Sequence, residues 1–397
     1  MHPPRVVMLI MEYPPMFSGH GIYLQRLIGR IQAAGGQVLV LTADFSRLPR
    51  HEVINGIEIR RFRFHPCMPR WEIQFAAQAV AFLANNLSGF DILHIHGYLD
   101  VYGLIGLFNR AAHKKTITQL VLLGADDPLT IARNHRFGRA RLKLLSMQDR
   151  VLVISRAIAE SYERAGLPGE KLVYIPQGVD TEVFRPAGPG EKDELRAKFG
   201  IGPFRKVVTF VGGVLKRKGV DILVHAWGKI SRLHPDAVLL IVGPDSFGED
   251  DVSRDQLMNF IDDIKAEVRE HDLNVRFVGR TDEVEEYLKC SDVFVLPSRK
   301  EGFGNVILEA MACGVPPVVS YMDGVSSETV KHGIDGLVVN DVSELAGAID
   351  KLLGDAGLAG LMGTRARAKA VESFDLNKIA DRYYGLYASL LTTGEGR

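Results

Sequence analysis

The sequence has few cysteines, no excess of either charge and no long apolar run. Its three cysteines, Cys67, Cys290 and Cys313, form no CxxC pair and no cluster with histidine, so neither a disulfide framework nor a zinc site is indicated. The N-terminal apolar run covers only residues 6–11, and no later segment reaches ~18 apolar residues. We therefore expect a cytoplasmic protein with reduced thiols and at most a peripheral membrane contact.

The formal net charge is zero, so no general attraction to nucleic acid is expected. The charges are nevertheless unevenly distributed. Residues 1–186 hold 22 Lys and Arg against 15 Asp and Glu, a net +7, whereas the remainder holds 26 against 33, a net −7. The first half of the chain is the better candidate for contact with an anionic partner.

Short runs rich in Val, Ile and Leu alternate with longer amphipathic stretches, which is typical of parallel sheets covered by helices on both faces. A first series of predicted strands covers residues 6–11, 37–43, 56–64, 91–96, 116–123, 151–155 and 172–175. A second covers residues 206–213, 237–244, 274–279, 292–298, 316–320 and 336–339. Between them, residues 185–206 contain three prolines and four glycines and are predicted to be a linker with a short helix.

The pattern predicts two Rossmann-like, doubly wound α/β domains that face a cleft, residues 1–180 and 181–373, followed by an amphipathic helix over 374–391. Ligands of such sheets bind outside the carboxyl ends of the strands. Three loops at predicted strand ends are therefore candidates for a binding site.

The first loop, "YPPMFSGHG" (13–21), has Gly19 and Gly21, which let backbone N–H groups approach an anion. The second, "VGGVLKRKG" (211–219), places Lys216, Arg217 and Lys218 beside a helix start, which suits a diphosphate. An ordinary turn and solvated surface lysines are the competing interpretations. The third, "SRKEGFGNVILEA" (298–310), has Glu301 before a helix and Glu309 within it, and carboxylates accept well from vicinal hydroxyls.

These segments, together with "DILHIHG" (91–97) and "IPQGVDTEVFRP" (175–186), resemble the retaining GT-B glycosyltransferases of family 4. The resemblance covers nearly the whole chain, and the Glu-x7-Glu segment is its most specific part. It implies a GT-B fold in which the last helix packs back on the N-terminal domain. It also implies a nucleotide sugar as substrate, no cofactor and no required metal.

The resemblance also implies roles for individual residues. Glu309 would accept from the ribose hydroxyls, Glu301 would contact the transferred sugar, and Lys218 would bind the diphosphate, which Gly19 would approach from the other domain. The remaining donor-binding positions implied are Gly213, Arg217, Arg280, Thr281, Gly302, Phe303, Gly304 and Asn305. A fixed cation and a helix N-terminus would stabilise the charge that develops on the leaving diphosphate.

The sequence departs from the family pattern at three positions. Gly213 stands where an arginine is usual, and Arg217 or Lys216 would have to substitute for it. Gln177 stands where an asparagine is usual, and Leu123, in "LLGADDP", stands where a histidine is usual. Asp126 is predicted to supply the missing polar contact or, with Asp127, to cap the next helix. His96, at the end of another strand, is the next candidate, and a structural histidine beside a glycine turn is the competing interpretation.

The expected function is retaining transfer of a sugar to a glycan, a lipid-linked or a small-molecule acceptor, in bacterial cell-surface polysaccharide or glycolipid synthesis. The basic segment 133–150 is predicted either to meet an anionic lipid surface at the inner face of the cell membrane or to be a solvated helix face. The alternatives are a GT-B-fold nucleotide-sugar epimerase and a non-catalytic nucleotide-sugar-binding protein.

Overall fold

The structure is a computed structural model that describes residues 2–16, 18–44, 47–63, 71–97, 101–134, 137–202, 205–246 and 254–392. The chain forms two compact units. Unit 1 comprises Met1–Gln177 and Leu376–Arg397, and unit 2 comprises Gly178–Asp375. Each unit is a sheet with helices packed against it.

The sheet of unit 1 has the strand order β3-β4-β2-β1-β5-β6-β7-β8, and only β3 runs antiparallel to its neighbour. Its strands are β1 (Arg5–Leu9), β2 (Gln37–Asp44), β3 (His51–Ile54), β4 (Ile57–Arg63), β5 (Ile92–His96), β6 (Lys115–Leu120), β7 (Arg150–Val153) and β8 (Leu172–Tyr174). Its helices are α1 (Gly19–Ala33), α2 (Trp71–Asn85), α3 (Tyr102–Ala111), α4 (Pro128–Asn134), α5 (Gly138–Ser146) and α6 (Arg156–Arg164), joined later by α15 (Leu376–Thr392), which packs on α1.

The sheet of unit 2 is entirely parallel, in the order β11-β10-β9-β12-β13-β14. Its strands are β9 (Lys206–Val211), β10 (Ala237–Val242), β11 (Val275–Gly279), β12 (Val293–Leu296), β13 (Pro317–Ser320) and β14 (Leu337–Val339). Its helices are α7 (Glu191–Lys198), α8 (Val220–Leu233), α9 (Arg254–Glu270), α10 (Val284–Lys289), α11 (Asn305–Ala312), α12 (Ser326–Thr329), α13 (Val342–Gly354) and α14 (Ala356–Ser373).

Within each unit the strand order reverses direction at one point, between β1 and β5 in unit 1 and between β9 and β12 in unit 2. In units of this topology, ligands bind at that point, outside the carboxyl ends of the strands. The central strands on both sides of the reversal are fully buried, and their apolar side chains form the cores. The buried strands therefore hold the two loops that leave each switch point in fixed positions.

The predicted strands are all present, and the structure adds β3, which is not among them. β3 and β4 are joined by Asn55 and Gly56, both with positive φ. Asn-Gly between alternating apolar residues is a strong signal for a two-residue hairpin because both positions must adopt positive φ. This signal in "EVINGIEI" was overlooked.

The units divide at Gln177–Gly178, against the predicted boundary between residues 180 and 181, and the predicted linker 185–206 lies inside unit 2 and contains α7. The reason is the docking of the segment that follows Gly178. The Val179 N–H donates to the Phe374 carbonyl at 2.8 Å. The Arg367 guanidinium donates to the carbonyls of Thr181 and Phe184 at 3.1 and 2.8 Å. Proline and glycine content alone does not reveal these contacts.

Candidate active site

The loops after β9 and β12 meet at the switch point of unit 2. The β9 loop runs through Gly213 to a short 3-10 turn, Lys216–Lys218, and then to α8. The β12 loop runs through Ser298 and Glu301 to α11. Gly213, Arg217, Lys218 and Glu301, all predicted from the sequence, therefore lie on two adjacent loops.

Lys218 and Glu301 form a salt bridge at the centre of these loops. The Lys218 Nζ donates to Glu301 Oε1 at 2.7 Å, and the Ser298 hydroxyl donates to the same oxygen at 2.6 Å. The side chains of Lys218 and Glu301 are 15% and 7% exposed. Glu301 Oε2 lies 3.5 Å from Arg217 Nη1. One carboxylate oxygen of Glu301 thus holds the lysine ammonium in place, with Ser298 orienting the carboxylate.

Two arginines join the loops from opposite sides. The Arg299 guanidinium donates hydrogen bonds from both terminal nitrogens to the Asp221 carboxylate, at 2.7 and 2.8 Å. The Arg217 Nη1 donates to the Lys300 carbonyl at 2.7 Å. Bidentate pairs of this kind fix orientation as well as distance. The hydrogen bond to Asp221 raises the pKa of the Arg299 guanidinium. Burial acts to raise the pKa of the Asp221 carboxyl, but the contact with Arg299 outweighs it and lowers that pKa.

The approach of the two loops requires glycine at position 219. Gly219 has a φ of +72°, and a Cβ atom there would lie 1.9 Å from the Pro297 carbonyl oxygen. Any side chain would force the loops apart. Since α8 begins at Val220, immediately after this glycine, the position of Lys218 is set by the contact.

The start of α11 follows directly from Glu301. Gly304, with a φ of +78°, precedes the helix, and Asn305 is its first residue. Phe303 is 2% exposed and packs edge-on against Phe374, with ring centroids 6.0 Å apart. This anchor holds Gly302 and Gly304 at the helix entrance, where backbone N–H groups lack intrahelical partners. Glu309 lies in the second turn of α11 and is half-buried.

The remaining residues predicted to bind the donor lie at the carboxyl edge of the unit 2 sheet, beside β9, β10 and β11. Gly213 is buried, and its neighbour Val214 donates to the Pro244 carbonyl at 2.9 Å. Arg280 is exposed and follows β11 directly. The Thr281 hydroxyl oxygen accepts from the Glu283 N–H at 3.0 Å. Arg217 is engaged with the β12 loop, and Lys216 is exposed, so neither occupies the buried position of Gly213.

The switch point of unit 1 holds a group of histidines. Ser18 caps α1 by accepting from the Gly21 N–H at 3.3 Å, and Gly19 at the helix start is exposed. His20 Nε2 lies 3.4 Å from Nδ1 of His96, the last residue of β5. Burial lowers the pKa of His20 to about 4 and that of His96 well below its ordinary value. Both imidazoles are therefore neutral near pH 7.

The loop after β6 is held together by its own two aspartates. Asp126 accepts from the N–H groups of Val121 and Leu122 at 2.8 and 2.7 Å. Asp127 accepts from the N–H groups of Gly124 and Thr130, at 2.6 and 3.1 Å, and from the Ser161 hydroxyl at 2.6 Å. Asp127 thus caps α4. Asp126 does not cap the helix, because the N–H groups it binds belong to the loop that precedes α4. A substrate contact by Asp126 stays a prediction.

Their pKa values differ because their partners differ. Burial raises the pKa of Asp126 to about 6, and Asp127 adds to that rise, while the two backbone N–H bonds oppose it. Burial also acts to raise the pKa of Asp127, but the bonds from Ser161, Thr130 and Gly124 outweigh it and lower the pKa.

Four residues of these sites were missed in the sequence: Ser298, Asp221 with Arg299, and His20. Ser298 and Arg299 carried a usable signal, because they stand directly after a buried strand and beside Glu301. His20, between two glycines of the first loop, is likewise visible. Its contact with His96 is not, since 76 residues separate them.

Other groups in the described ranges give no further site of metal or thiol chemistry. No three or more His, Cys, Asp or Glu residues are grouped as metal ligands within the described part of the chain. Cys290 and Cys313 are free and buried, and burial raises the pKa of both thiols. Cys67 lies outside the described residues.

Two protein families match the chain, one for each half. The family described as "Glycosyltransferase Family 4" matches residues 17–183, and "Glycosyl transferases group 1" matches residues 205–355. Together the two matches span most of the sequence.

Relatives and solved structures agree with these matches. N-acetyl-alpha-D-glucosaminyl L-malate synthase of Bacillus anthracis is 29% identical over 396 residues, covering 95% of each chain. Sucrose-phosphate synthase from Thermosynechococcus elongatus has a TM-score of 0.80 and 25% identity over 98% of this chain and 100% of that one. Anabaena HepE in complex with UDP-glucose has a TM-score of 0.76 and 20% identity over 98% and 99%.

The two α/β units with parallel sheets thus have the GT-B fold. The chain belongs to the glycosyltransferases of family 4 type and is a glycosyltransferase. The expectation from the Glu-x7-Glu segment is confirmed at the level of family, fold and enzyme class.

Proposed function

We propose that the chain is a retaining hexosyltransferase with a nucleotide sugar as donor, acting in bacterial cell-surface polysaccharide or glycolipid synthesis. The observation that supports this most is the buried pair of Lys218 and Glu301 at the switch point of unit 2. A cation held at the carboxyl edge of a Rossmann-like sheet suits the diphosphate of such a donor.

Lys218 acts on the leaving group in this proposal. When the bond between the sugar carbon and the phosphate oxygen breaks, negative charge develops on the diphosphate. Glu301, which is oriented by Ser298, already holds the ammonium in position, so little reorganisation accompanies the reaction. The N–H groups in the first turn of α11, beginning at Asn305, supply further donors. These protein charges take the part that a divalent metal takes in other transferases.

The rest of the donor is assigned along the same edge. Glu301 Oε2, which is not used by Lys218 or Ser298, accepts from a hydroxyl of the transferred sugar. Glu309 accepts from the ribose hydroxyls. Contacts to the nucleobase are assigned to the segment after β11 that contains Arg280 and Thr281. Backbone groups of Gly213 and of residues 302–305 complete the contacts.

The transfer itself forms a bond between the acceptor oxygen and the sugar carbon on the face from which the diphosphate leaves. The acceptor's proton passes to the departing phosphate oxygen, so that atoms and charge balance without a further base. Configuration at the sugar carbon is therefore retained. The acceptor is a glycan, a lipid-linked sugar or a small molecule, and the name of the Bacillus anthracis relative makes L-malate a first candidate to test.

A thermal-shift screen against UDP-, GDP- and ADP-hexoses tests the donor assignment. A ligand at ~100 times its dissociation constant adds about 2.7 kcal/mol to the free energy of unfolding. For a domain of this size, that corresponds to a rise in Tm of roughly 5–10 °C. The variant Glu309→Ala serves as the control, since a tenfold or greater loss of affinity should remove about half of the rise or more. No shift with any of the three classes would contradict the proposal.

Turnover separates the rival functions. Donor consumed only when an acceptor is present supports transfer, whereas isomerised donor without acceptor indicates an epimerase. Tight binding with no turnover in either case indicates a non-catalytic binding protein.

The proposal includes a peripheral contact of unit 1 with anionic lipid through segment 133–150. On α5, Arg139 and Lys143 are exposed, and Phe137 before the helix is 64% exposed. Leu104 on the neighbouring α3 is 58% exposed. Exposed basic and apolar side chains on neighbouring helices suit a lipid interface. No helix in the described ranges is long and apolar enough to cross a bilayer. Arg136, also part of the predicted basic segment, lies outside those ranges.

Vesicle sedimentation at low salt tests the contact. Each basic residue near the surface is worth about 1 kcal/mol, so Arg139→Glu with Lys143→Glu should lower binding to anionic vesicles at least tenfold. The matched control is Lys229→Glu with Arg232→Glu, which reverses two exposed charges on α8 of unit 2. Equal recovery of wild-type protein with neutral and anionic vesicles would contradict the contact.

A further inference from the structure

The histidine group of unit 1 is connected in a way that determines where its protons lie. Gln177 Nε2 lies 3.3 Å from His20 Nδ1, and His20 Nε2 lies 3.4 Å from His96 Nδ1. Gln177 and His96 are each 4% exposed. Gln177 ends the first segment of unit 1, His20 lies in the first turn of α1, and His96 is the last residue of β5. The contacts between them therefore depend on the fold.

The chemistry of the amide sets the tautomer of both rings. An amide nitrogen only donates, so His20 Nδ1 must accept, and the single proton of the neutral ring is on Nε2. His20 Nε2–H then donates to His96 Nδ1, which places the proton of His96 on its own Nε2. The lowered pKa values of both imidazoles leave each ring with one proton near pH 7, so with the Gln177 amide nitrogen facing His20 no other arrangement satisfies both contacts.

The His96 Nε2–H has no hydrogen-bond partner among the described residues, although it is buried. A buried donor without an acceptor costs roughly 1–3 kcal/mol, and such groups call for an explanation. Its position offers one, because His96 ends β5 at the switch point where ligands of this fold bind. A substrate oxygen at this point would satisfy the donor.

His94 on the same strand does not share this position. Its Nδ1 lies 2.8 Å from the Tyr387 hydroxyl, which fastens α15 to β5, and it is fully buried. Its ring packs against that of His96, with centroids 4.1 Å apart and ring planes tilted by 31°. His94 therefore supports the His96 ring from the core side, and only His96 stands at the edge of the sheet.

We propose that Gln177 and His20 are positioning residues that hold His96 as a fixed, neutral Nε2–H donor to an oxygen of the acceptor substrate. This rests on the proposed glycosyl transfer and adds the site that unit 1 contributes to it. The ligand chemistry is a hydroxyl, carboxylate or phosphate oxygen. His96 would contact the substrate, while Gln177 and His20 act through it.

Gln177→Glu is the sharpest test, because a carboxylate only accepts. His20 must then carry its proton on Nδ1, and His96 must donate from Nδ1, which leaves its Nε2 as an acceptor. In ¹⁵N-labelled protein at pH 7, long-range ¹H–¹⁵N spectra should show both rings as Nε2–H in the wild type and as Nδ1–H in the variant. Wild-type His96 found as Nδ1–H or doubly protonated would overturn the proposal.

Kinetics supply the second readout. With the donor and acceptor found in the screen above, Gln177→Glu should lower kcat at least tenfold and leave the KM for the nucleotide sugar within about twofold. Gln177→Met, which removes the donor without adding an acceptor, should show a mixture of tautomers and an intermediate kcat. Gln37→Glu, an exposed change at the start of β2, should alter neither.

The outcomes distinguish this inference from the proposed function. A variant whose tautomers switch while transfer continues at the wild-type rate would overturn the role of His96 and leave the glycosyltransferase assignment intact. Absence of donor binding or transfer in the wild type would contradict the proposed function, and the spectra would still test the assigned proton positions. If Gln177→Glu fails to fold, Gln177→Met carries both measurements.

Discussion

The pair of Lys218 and Glu301 should show strong energetic coupling in a double-mutant cycle. Glu301→Gln leaves an ammonium that is only 15% exposed without its counter-ion, and Lys218→Met leaves a carboxylate that is 7% exposed. A charge-assisted hydrogen bond contributes about 1.5–3 kcal/mol. Since either single change also strands the remaining charge, each should lower the free energy of unfolding of unit 2 by about 2–3 kcal/mol.

The double variant strands no charge and should cost no more than about 3 kcal/mol, which leaves a coupling energy of about 2 kcal/mol.

The sequence has two tryptophans, Trp71 in unit 1 and the fully buried Trp227 on α8 of unit 2. In a Trp71→Phe background, urea unfolding followed by tryptophan fluorescence therefore reports unit 2. Lys229→Met, an exposed change on α8, is the control and should stay within about 0.5 kcal/mol. Single costs that add within about 0.5 kcal/mol would refute the pairing.

Three further outcomes follow from the sites. Glu309→Ala should weaken nucleotide-sugar binding about tenfold or more, measured by calorimetry, because two ribose hydroxyls lose a charged acceptor. Because the folded-state pKa of Asp126 is about 6 against an ordinary 3.8, the wild type should lose roughly 2–3 kcal/mol of unfolding free energy relative to Asp126→Asn as the pH rises from about 4 through about 6. Treatment with EDTA should leave sugar transfer largely intact, since Lys218 and the start of α11 are assigned to the diphosphate.

Each of these has a result that would count against it. Unchanged donor affinity in folded Glu309→Ala would remove the ribose assignment. A stability difference between wild type and Asp126→Asn that does not vary with pH would mean that the carboxylate is not buried as described. Activity lost to EDTA and restored by magnesium would show that a metal, and not Lys218, neutralises the leaving group.

Much of the fold was predictable because its signals are local. Each buried parallel strand is a short apolar run, and the loops at strand ends carry their own glycines and charges, so the loops with Lys218 and Glu301 could be placed before any coordinates. The hairpin at Asn55–Gly56 was equally local and was overlooked. The docking of the segment after Gly178 was not local, because it depends on Arg367 and Phe374, nearly 200 residues away.

The same distinction applies to the sites. Sequence spacing brings Glu301 and Lys218 to neighbouring strand ends, but it does not reveal that one carboxylate oxygen of Glu301 is occupied by that lysine. The sequence alone did not decide whether Asp126 contacts the substrate or has a structural role. Its hydrogen bonds from the N–H groups of Val121 and Leu122 favour the structural role. The contact of Gln177 with His20 spans 157 residues and arises only from packing.

The most direct test of the central claim is the transfer reaction followed by NMR. The protein is incubated with the nucleotide sugar that gives the largest thermal shift and with candidate acceptors, L-malate among them. Nucleoside diphosphate should be released in step with a glycosylated acceptor whose anomeric configuration equals that of the donor. Lys218→Met should abolish most of the turnover while the donor still binds. A product of inverted configuration, or a Lys218→Met variant that transfers sugar at the wild-type rate, would contradict the proposed function.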